Sequence, residues 1–425
     1  MPQKQNKYTG WGLYPKLEGL LVAPEHLDAV RSSIIAKDTV IARGNGRSYG
    51  DAALGENLIS TLKLNKIKHF DHENGQITCE AGVLFSDILA LIVPKGWFFK
   101  VTPGTAQITV GGAIACDVHG KNHPDSGCFS QHLIQFDLMM STGEVVTCSK
   151  SKNQTLFWQT CGGMGWTGVI LDATFQLKRI NSVYMHQTTL RFNHQSIESI
   201  LSTMRAQQTD DYAAAWLDLS SKTLRGLVFL NHHDSTPTEL SYTPSSGALS
   251  IPFLLPFSVI NKWSIKAYNA YYFFKNKARK QRISLNTCFY PLDGIQDWNR
   301  LYGPRGFVQY QFCIPDAQAN AGMISIIRAI RNSGEIPFLC VLKRHGERSS
   351  ESIHSFPIKG FSLALDFPRT TTIFTLIQQL DKIVWDQGGK IYLAKDACSA
   401  PHMGRIDPNS FGNHKFSSAL KQRIL

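Results

Sequence analysis

Residues Ala42–Ala52 read ARGNGRSYGDA. Gly44, Gly46 and Gly50 space the residues Ala42, Arg43, Asn45, Arg47, Ser48, Tyr49, Asp51 and Ala52. The run Thr39–Arg43 (TVIAR) leads into them and predicts a short strand. Glycine lets the backbone approach a ligand closely and present several N–H groups to it. That is how a chain cradles a pyrophosphate without relying on charge. The spacing is not a Rossmann fingerprint, because Gly50 falls one residue late and no apolar helix follows. Nor is it a Walker loop, since no Gly-Lys-Ser/Thr follows. The reading that remains is a dinucleotide held by another fold.

Two further glycine-dense segments follow, Pro103–Gly127 (PGTAQITVGGAIACDVHGKNHPDSG) and Gly162–Ile170 (GGMGWTGVI). One such loop is usually a turn; three in one region argue for a nucleotide. Short elements surround them. Pro24–Ala36 predicts a helix with proline at its first position and Leu27, Val30 and Ile34 on one face. Leu58–Leu64, Gln76–Val83 and Ala173–Ile180 predict strands, and Phe85, Ile88, Leu89 and Ile92 keep helical spacing. From about residue 184 glycine thins out and aromatic strands take over. Met323, Ile326, Ile327 and Ile330 mark one helix there. Ile373, Leu376, Ile377, Leu380, Ile383 and Val384 mark another, closed by Gly388-Gly389 and followed by a strand Lys390–Lys395. The expectation is an α+β chain whose domains divide as 1–183, 184–389 and a return at 390–425.

Composition narrows the function. Hydrophobic residues make up 43% and aromatics 11% of 425 residues, which excludes wholesale disorder. Only 18% of residues are charged, yet the net charge is +12. A sparsely charged chain with so lopsided a balance meets something anionic: nucleic acid, a lipid surface or a phosphorylated ligand. Nine scattered cysteines without a CxxC pair imply no disulfide framework and a reducing compartment. The polar start MPQKQNKYTGWG carries no signal-peptide pattern, and no run reaches the ~18 apolar residues of a spanning helix.

The basic excess is local. No acidic residue lies between Glu239 and Asp293, whereas Lys262, Lys266, Lys275, Lys277, Arg279, Lys280 and Arg282 alternate with Trp263, Tyr268, Tyr271, Tyr272, Phe273 and Phe274. Phe253, Leu254, Leu255 and Phe257 precede them. This mixture in 240–292 suits an anionic bilayer interface or a polyprenyl phosphate. Nucleic acid would also accept such residues, but no nucleic-acid fold signature is present and none is expected as a partner. The structural alternative is a core helix pair with a basic outer face.

The ordered motifs carry a family resemblance. They are TGWG (9–12), RGNGRSYGDAA (43–53), TVGGAIACDVHGKNH (109–123), FW…GGMGWTG (157–168), PLD…WNR.YG..GF.QYQF.IP (291–315), LKRHG (342–346), LDFP (365–368), YLAKD (392–396) and a late Asp407-Pro408…Phe411. Together they resemble the decaprenylphosphoryl-β-D-ribose 2′-oxidase family, within the vanillyl-alcohol-oxidase/p-cresol-methylhydroxylase type of FAD-binding fold. The resemblance implies a two-domain α+β protein with an antiparallel-sheet substrate domain. It implies that Ala42–Ala52 wraps the FAD pyrophosphate. Gly104, Thr109, Val110, Gly111, Gly112, Cys116, Asp117, Val118, His119 and Ile170 would line the flavin and its ribityl chain, and Tyr392 would touch the flavin. Many relatives tether FAD through a histidine in the first loop; Tyr49 stands at the comparable position, which implies non-covalent FAD. The implied activity is oxidation of a polyprenyl-phosphate-linked pentose to its 2′-keto sugar, half of an epimerisation serving arabinan and cell-wall synthesis. A partner NAD(P)H-dependent keto-reductase would complete it, on an enzyme peripheral to the inner membrane on its cytoplasmic side. A soluble sugar or aldonolactone oxidase is the alternative.

Candidate site residues follow. His119 and Lys121, in Asp117-Val-His-Gly-Lys-Asn-His123, could bond substrate or flavin and offset an anion, or simply anchor a turn. Cys116, His119, His123, Cys128 and His132 fit no standard zinc spacing, and no metal is expected. Lys395 shares a predicted strand face with Ile391 and Leu393, so it either snorkels or works; the resemblance makes it the active-site lysine, with His119 and Tyr49 nearby. Gln309 and Gln311 share one strand face, as a polar cleft wall or a solvent edge. Lys343 ends a predicted strand Phe338–Lys343, reaching a substrate phosphate or solvent. Ser362 and Ala364 stand where mycobacterial members carry Asn and Cys, so a thiol there is not part of this chemistry. If the FAD is dissociable, acid denaturation of the purified protein releases all yellow colour to the supernatant; colour retained in the pellet contradicts the reading of Tyr49.

Overall fold

The computed structural model describes residues 5–207, 212–244, 249–347, 351–399 and 414–425. The Asp407-Pro408…Phe411 motif lies outside them. All nine cysteines are free thiols. Among the described residues no helix is long and apolar enough to cross a membrane.

The glycine loop grows from a small four-stranded sheet. Ile41–Arg43 lies parallel to Asn57–Ser60, which lies parallel to Lys16–Val22, and Asn6–Thr9 closes the far edge. Parallel neighbours need a crossover, and the helix Leu27–Ile35 supplies it, burying Val30 and Ile34. It starts three residues after Pro24, not at it. The His26 ring accepts the Ala29 N–H and takes the capping role, leaving Pro24 outside. The predicted strand Leu58–Leu64 stops at Ser60, where the chain turns through the Leu64 N–H to Thr61 O bond.

Six antiparallel strands form the second sheet, with Val169–Arg179 at its centre. Its core is aromatic. Phe85 stacks on Phe99 at 4.1 Å between centroids, and Phe129 leans on Phe85 and Phe175. The helix Phe85–Ile92 buries the four apolar residues that its spacing picked out.

The third sheet has eight antiparallel strands: Arg279–Ser284, Tyr184–Asn193, Arg225–His233, Tyr212–Asp218, Leu339–His345, Gly360–Pro368, Phe307–Pro315 and Lys390–Ile391, in that spatial order. A strand's side chains alternate between faces. Val308, Tyr310, Phe312 and Ile314, with Leu363, Leu365, Phe367 and Leu342, build one core. The helices Ile197–Ala206, Ala319–Ser333 and Ile373–Asp386 cover it. Tyr310 anchors one of them by donating to Asp381 at 2.9 Å. The opposite face is left with Gln309, Gln311, Ser362, Ala364, Asp366, Lys343 and His345. Two predicted strand ends move accordingly. Lys343 is inside its strand, which runs to His345. The predicted strand Lys390–Lys395 stops at Ile391. After the Tyr392 N–H bonds Gln311 O, Leu393–Lys395 curl into one 3-10 turn whose Ala394 O accepts the Tyr49 N–H.

Residues 285–290 leave the large sheet and bury Leu285, Phe289 and Tyr290 in the aromatic core. The last described segment, 414–425, returns to the small sheet. Its Arg423 clasps Asp51 through Nε and Nη2 (2.9 and 3.0 Å) and Asp396 through Nη2 (3.0 Å). Both carboxylates are almost fully buried, so removing the guanidinium strands two charges. We expect Arg423→Met to cost about 3 kcal/mol or more of stability, read as a lowered denaturant midpoint, and to weaken FAD retention because Asp51 belongs to the glycine loop.

Candidate active site

Three glycine segments meet at one trough. Asn45 donates to Gln107 O at 2.8 Å, joining the first loop to the second. A Cβ on Gly44 would come within 2.3 Å of Thr109 Oγ1, so this contact admits only glycine. The third segment docks on the helix Val110–Ala115 through Gly162 N–H to Ile114 O and Met164 N–H to Ala115 O. Residues 42–49 are half-buried. The N–H groups of Asn45, Gly46, Arg47 and Ser48 find no acceptor among the described residues. A half-open trough with spare N–H donors and no room for side chains fits a dinucleotide pyrophosphate.

The other wall is the polar face of the large sheet. Gln309, almost fully buried, donates to Asp366 Oδ1 and lies close to the Tyr49 hydroxyl. Asp366 is fully buried, and its Oδ2 has no hydrogen-bond partner among the described residues. Gln311 meets His119 Nε2 at 3.0 Å. Both glutamines therefore line the inner wall and not a solvent edge. Between the walls stands the Tyr392–Lys395 turn. It presses so close to the first loop that a Cβ on Gly50 would lie 1.8 Å from Asp396 O. The Lys395 ammonium sits 3.7 Å from the centroid of the Tyr49 ring, a cation–π distance. Tyr392 stacks on Phe356 and donates to Cys116 O at 2.9 Å.

Electrostatics follow from burial. Removal from water pulls Lys395 below the usual lysine range, and Asp366 opposes that pull. Burial pushes the Asp366 carboxyl up, while Gln309 and Lys395 hold it down. Lys343 falls to about 7, through burial first and then the charges of Lys121 and Lys395. Burial also keeps His119, His345 and His123 neutral, with Lys343 adding to the effect; His123 falls to about 4. The three rings pack edge to face, His119 against His345 and His345 against His123. Among the described residues no group of His, Cys, Asp or Glu side chains is arranged to hold a metal.

The site thus gathers Tyr49, Cys116, His119, Gln309, Gln311, Lys343, Tyr392 and Lys395. Other candidates spend their side chains elsewhere. Arg43 ties Thr9 O to Ala53 O, and Asp51 belongs to the Arg423 clasp. Asp117 accepts from Ser130 N–H and Ser355 Oγ. Val110, Val118 and Ile170 are core. Lys121 donates to Cys288 O, and Ser362 backs His345 at 2.7 Å. Thr109 caps the helix Val110–Ala115. The sequence reading missed Asp366, His345 and Trp11, whose ring holds the Arg47 guanidinium at 3.9 Å. Parity carried the first two: Asp366 alternates with Ser362 and Ala364, and His345 with Lys343.

Comparison with known proteins agrees with this geometry. The FAD binding domain family matches residues 20–149. Over 424 aligned residues the chain is 32% identical to the decaprenylphosphoryl-β-D-ribose oxidase of Mycolicibacterium smegmatis, covering 93% of this chain and 90% of that one. It is 29% identical to an uncharacterized Streptomyces coelicolor protein, over 79% of this chain and 97% of the other. L-gulonolactone oxidase of Mus musculus is 24% identical over 60% of this chain and 59% of its own. Ala364 faces the site without a thiol, and burial pushes the nearby Cys116 thiol up to about 12, where it stays protonated and unreactive. Inhibitors that bond the strand cysteine of mycobacterial members should leave the intact mass of this protein unchanged; an added mass would contradict that.

Proposed function

Because the chain belongs to the decaprenylphosphoryl-β-D-ribose oxidase family and is an FAD-dependent oxidoreductase, we propose that it oxidises the 2′-hydroxyl of a polyprenyl-phosphate-linked pentose to the keto sugar. A partner keto-reductase using NAD(P)H would complete the epimerisation. One observation carries the phosphate. Lys343 is a half-buried lysine whose charged neighbours are Lys121 and Lys395, with neutral histidines around it and no ion pair among the described residues. A site with cations in excess of carboxylates asks for an anion from its ligand.

FAD, when bound, accepts the hydride. The chain's own residues position the sugar: Lys395, His119 and Tyr49 orient the hydroxyl, Gln309 and Gln311 bond its neighbours, and Lys343 offsets the phosphate. Alignment of the C–H bond and removal of the hydroxyl proton are the catalytic contributions. FAD is held without a covalent tether, since Tyr49 makes no bond of that kind in this reading.

The lipid has a matching surface. Nine of the nineteen large apolar side chains exposed among the described residues fall within 249–274, including Phe253, Phe257, Trp263 (83% exposed), Tyr271 and Phe274. The helix Lys262–Lys275 buries only Ile265, Asn269 and Phe273. A buried helix pair is therefore not what these residues form. All seven basic residues of 262–282 are exposed beside them. Apolar anchors ringed by lysine and arginine suit an anionic bilayer surface.

The similarity to L-gulonolactone oxidase keeps a soluble aldonolactone as the second reading. Excising 240–292 to separate the two would also remove Leu285, Phe289 and Tyr290 from the core, so point substitutions are the proper tool. Under anaerobic conditions a polyprenyl-phosphate pentose should bleach the flavin, whereas bleaching by aldonolactones alone overturns the proposal. Trp263→Ser with Phe274→Ser should cut binding to phosphatidylglycerol vesicles by about tenfold or more. The rate on a short-chain soluble analogue should not change.

A further inference from the structure

Asp366 is a carboxylate on the site's polar sheet face; Asp218, two strands across, is already answered by Arg225. Asp366 is wholly buried, one oxygen is held by Gln309, and the other has no hydrogen-bond partner among the described residues. An ionised carboxylate in that position is costly unless a cation answers it. The groups facing Lys395 come from four elements. The large sheet presents Asp366 and Lys343, the glycine loop Tyr49, the end of the helix Val110–Ala115 Cys116, and the turn after it His119. Asp366 in turn faces Gln309, Tyr49, Tyr302 and Lys395. Gln309 donates to Asp366 and lies close to the Tyr49 hydroxyl, and the Tyr49 ring carries the Lys395 amine. A continuous chain of contacts therefore runs from the carboxylate to the amine.

We propose that Asp366 is a positioning residue for Lys395, setting the pH at which the amine is free to take the proton of the substrate hydroxyl. This rests on the alcohol oxidation proposed above. In that step the O–H bond breaks and an N–H bond forms on Lys395. The C–H bond gives its hydride to bound FAD, the oxidant, and a C=O bond forms. The ionised carboxylate favours the new ammonium through its charge. Lys343, a like charge, acts in the opposite sense.

The test is competitive labelling of the FAD-loaded protein with acetic anhydride across pH, read at Lys395 by peptide mass spectrometry. It needs no substrate, so it stands or falls separately from the identity of the sugar. A carboxylate raises the pKa of a nearby ammonium, so Asp366→Asn should lower the Lys395 midpoint by about one unit. Lys343→Met should raise it. Because only the neutral amine accepts a proton, the acid limb of kcat should move with the midpoint, to lower pH in Asp366→Asn. A purely structural Asp366 would lower the rate without moving either. An unmoved midpoint in Asp366→Asn that still holds FAD overturns the proposal. Should that variant lose FAD, an unmoved midpoint in Lys343→Met overturns it instead.

Discussion

A β-strand cannot show the same face to two consecutive side chains, and this protein depends on that constraint. In Phe307–Pro315 and Gly360–Pro368 the odd-numbered and even-numbered residues belong to different worlds. One set packs against three helices, where a polar atom would be costly. The other set is then free to be polar, and with Lys343 and His345 of the neighbouring strand it becomes a wall of amides, a carboxylate, an amine and an imidazole. The rigid register across the strands sets Gln309 beside Asp366 and Lys343 beside Ser362. Catalytic precision here is inherited from an apolar core on the far side of the sheet.

The cofactor side is built by the opposite strategy. Where the sheet offers side chains, the glycine loops withhold them. Gly44 against Thr109 and Gly50 against Asp396 are contacts of backbone with its surroundings, and they leave donors rather than bulk at the trough. The Tyr392–Lys395 turn is where the strategies meet. Its backbone bonds both the sheet, at Gln311, and the loop, at Tyr49. Lys395 is thereby fixed with respect to the sheet and the glycine loop at once.

Much of this was legible in the sequence because local rules govern it. The glycine loops, the buried faces of Phe85–Ile92 and Ile373–Asp386 and the alternation around Gln309 all follow from spacing. Boundaries were less legible where a distant contact ends an element. The strand predicted to run to Lys395 stops at Ile391 because Tyr49, more than three hundred residues earlier, claims Ala394 O. The burial of Asp366 was invisible for the same reason. A lone Asp in an apolar strand looks like an edge residue until its neighbours on other strands are known. Asp51 shows the reverse error: a residue in the right loop whose side chain serves a partner 372 positions away.

That separation has a temporal side. Chains emerge from the ribosome in order, so Asp51 is made long before Arg423. Until the helix Ala419–Ile424 arrives, two buried carboxylates lack the cation that permits their burial. The glycine loop and the lysine turn therefore cannot be locked together early in synthesis. The clasp that joins them waits for residues made more than three hundred positions after the loop itself.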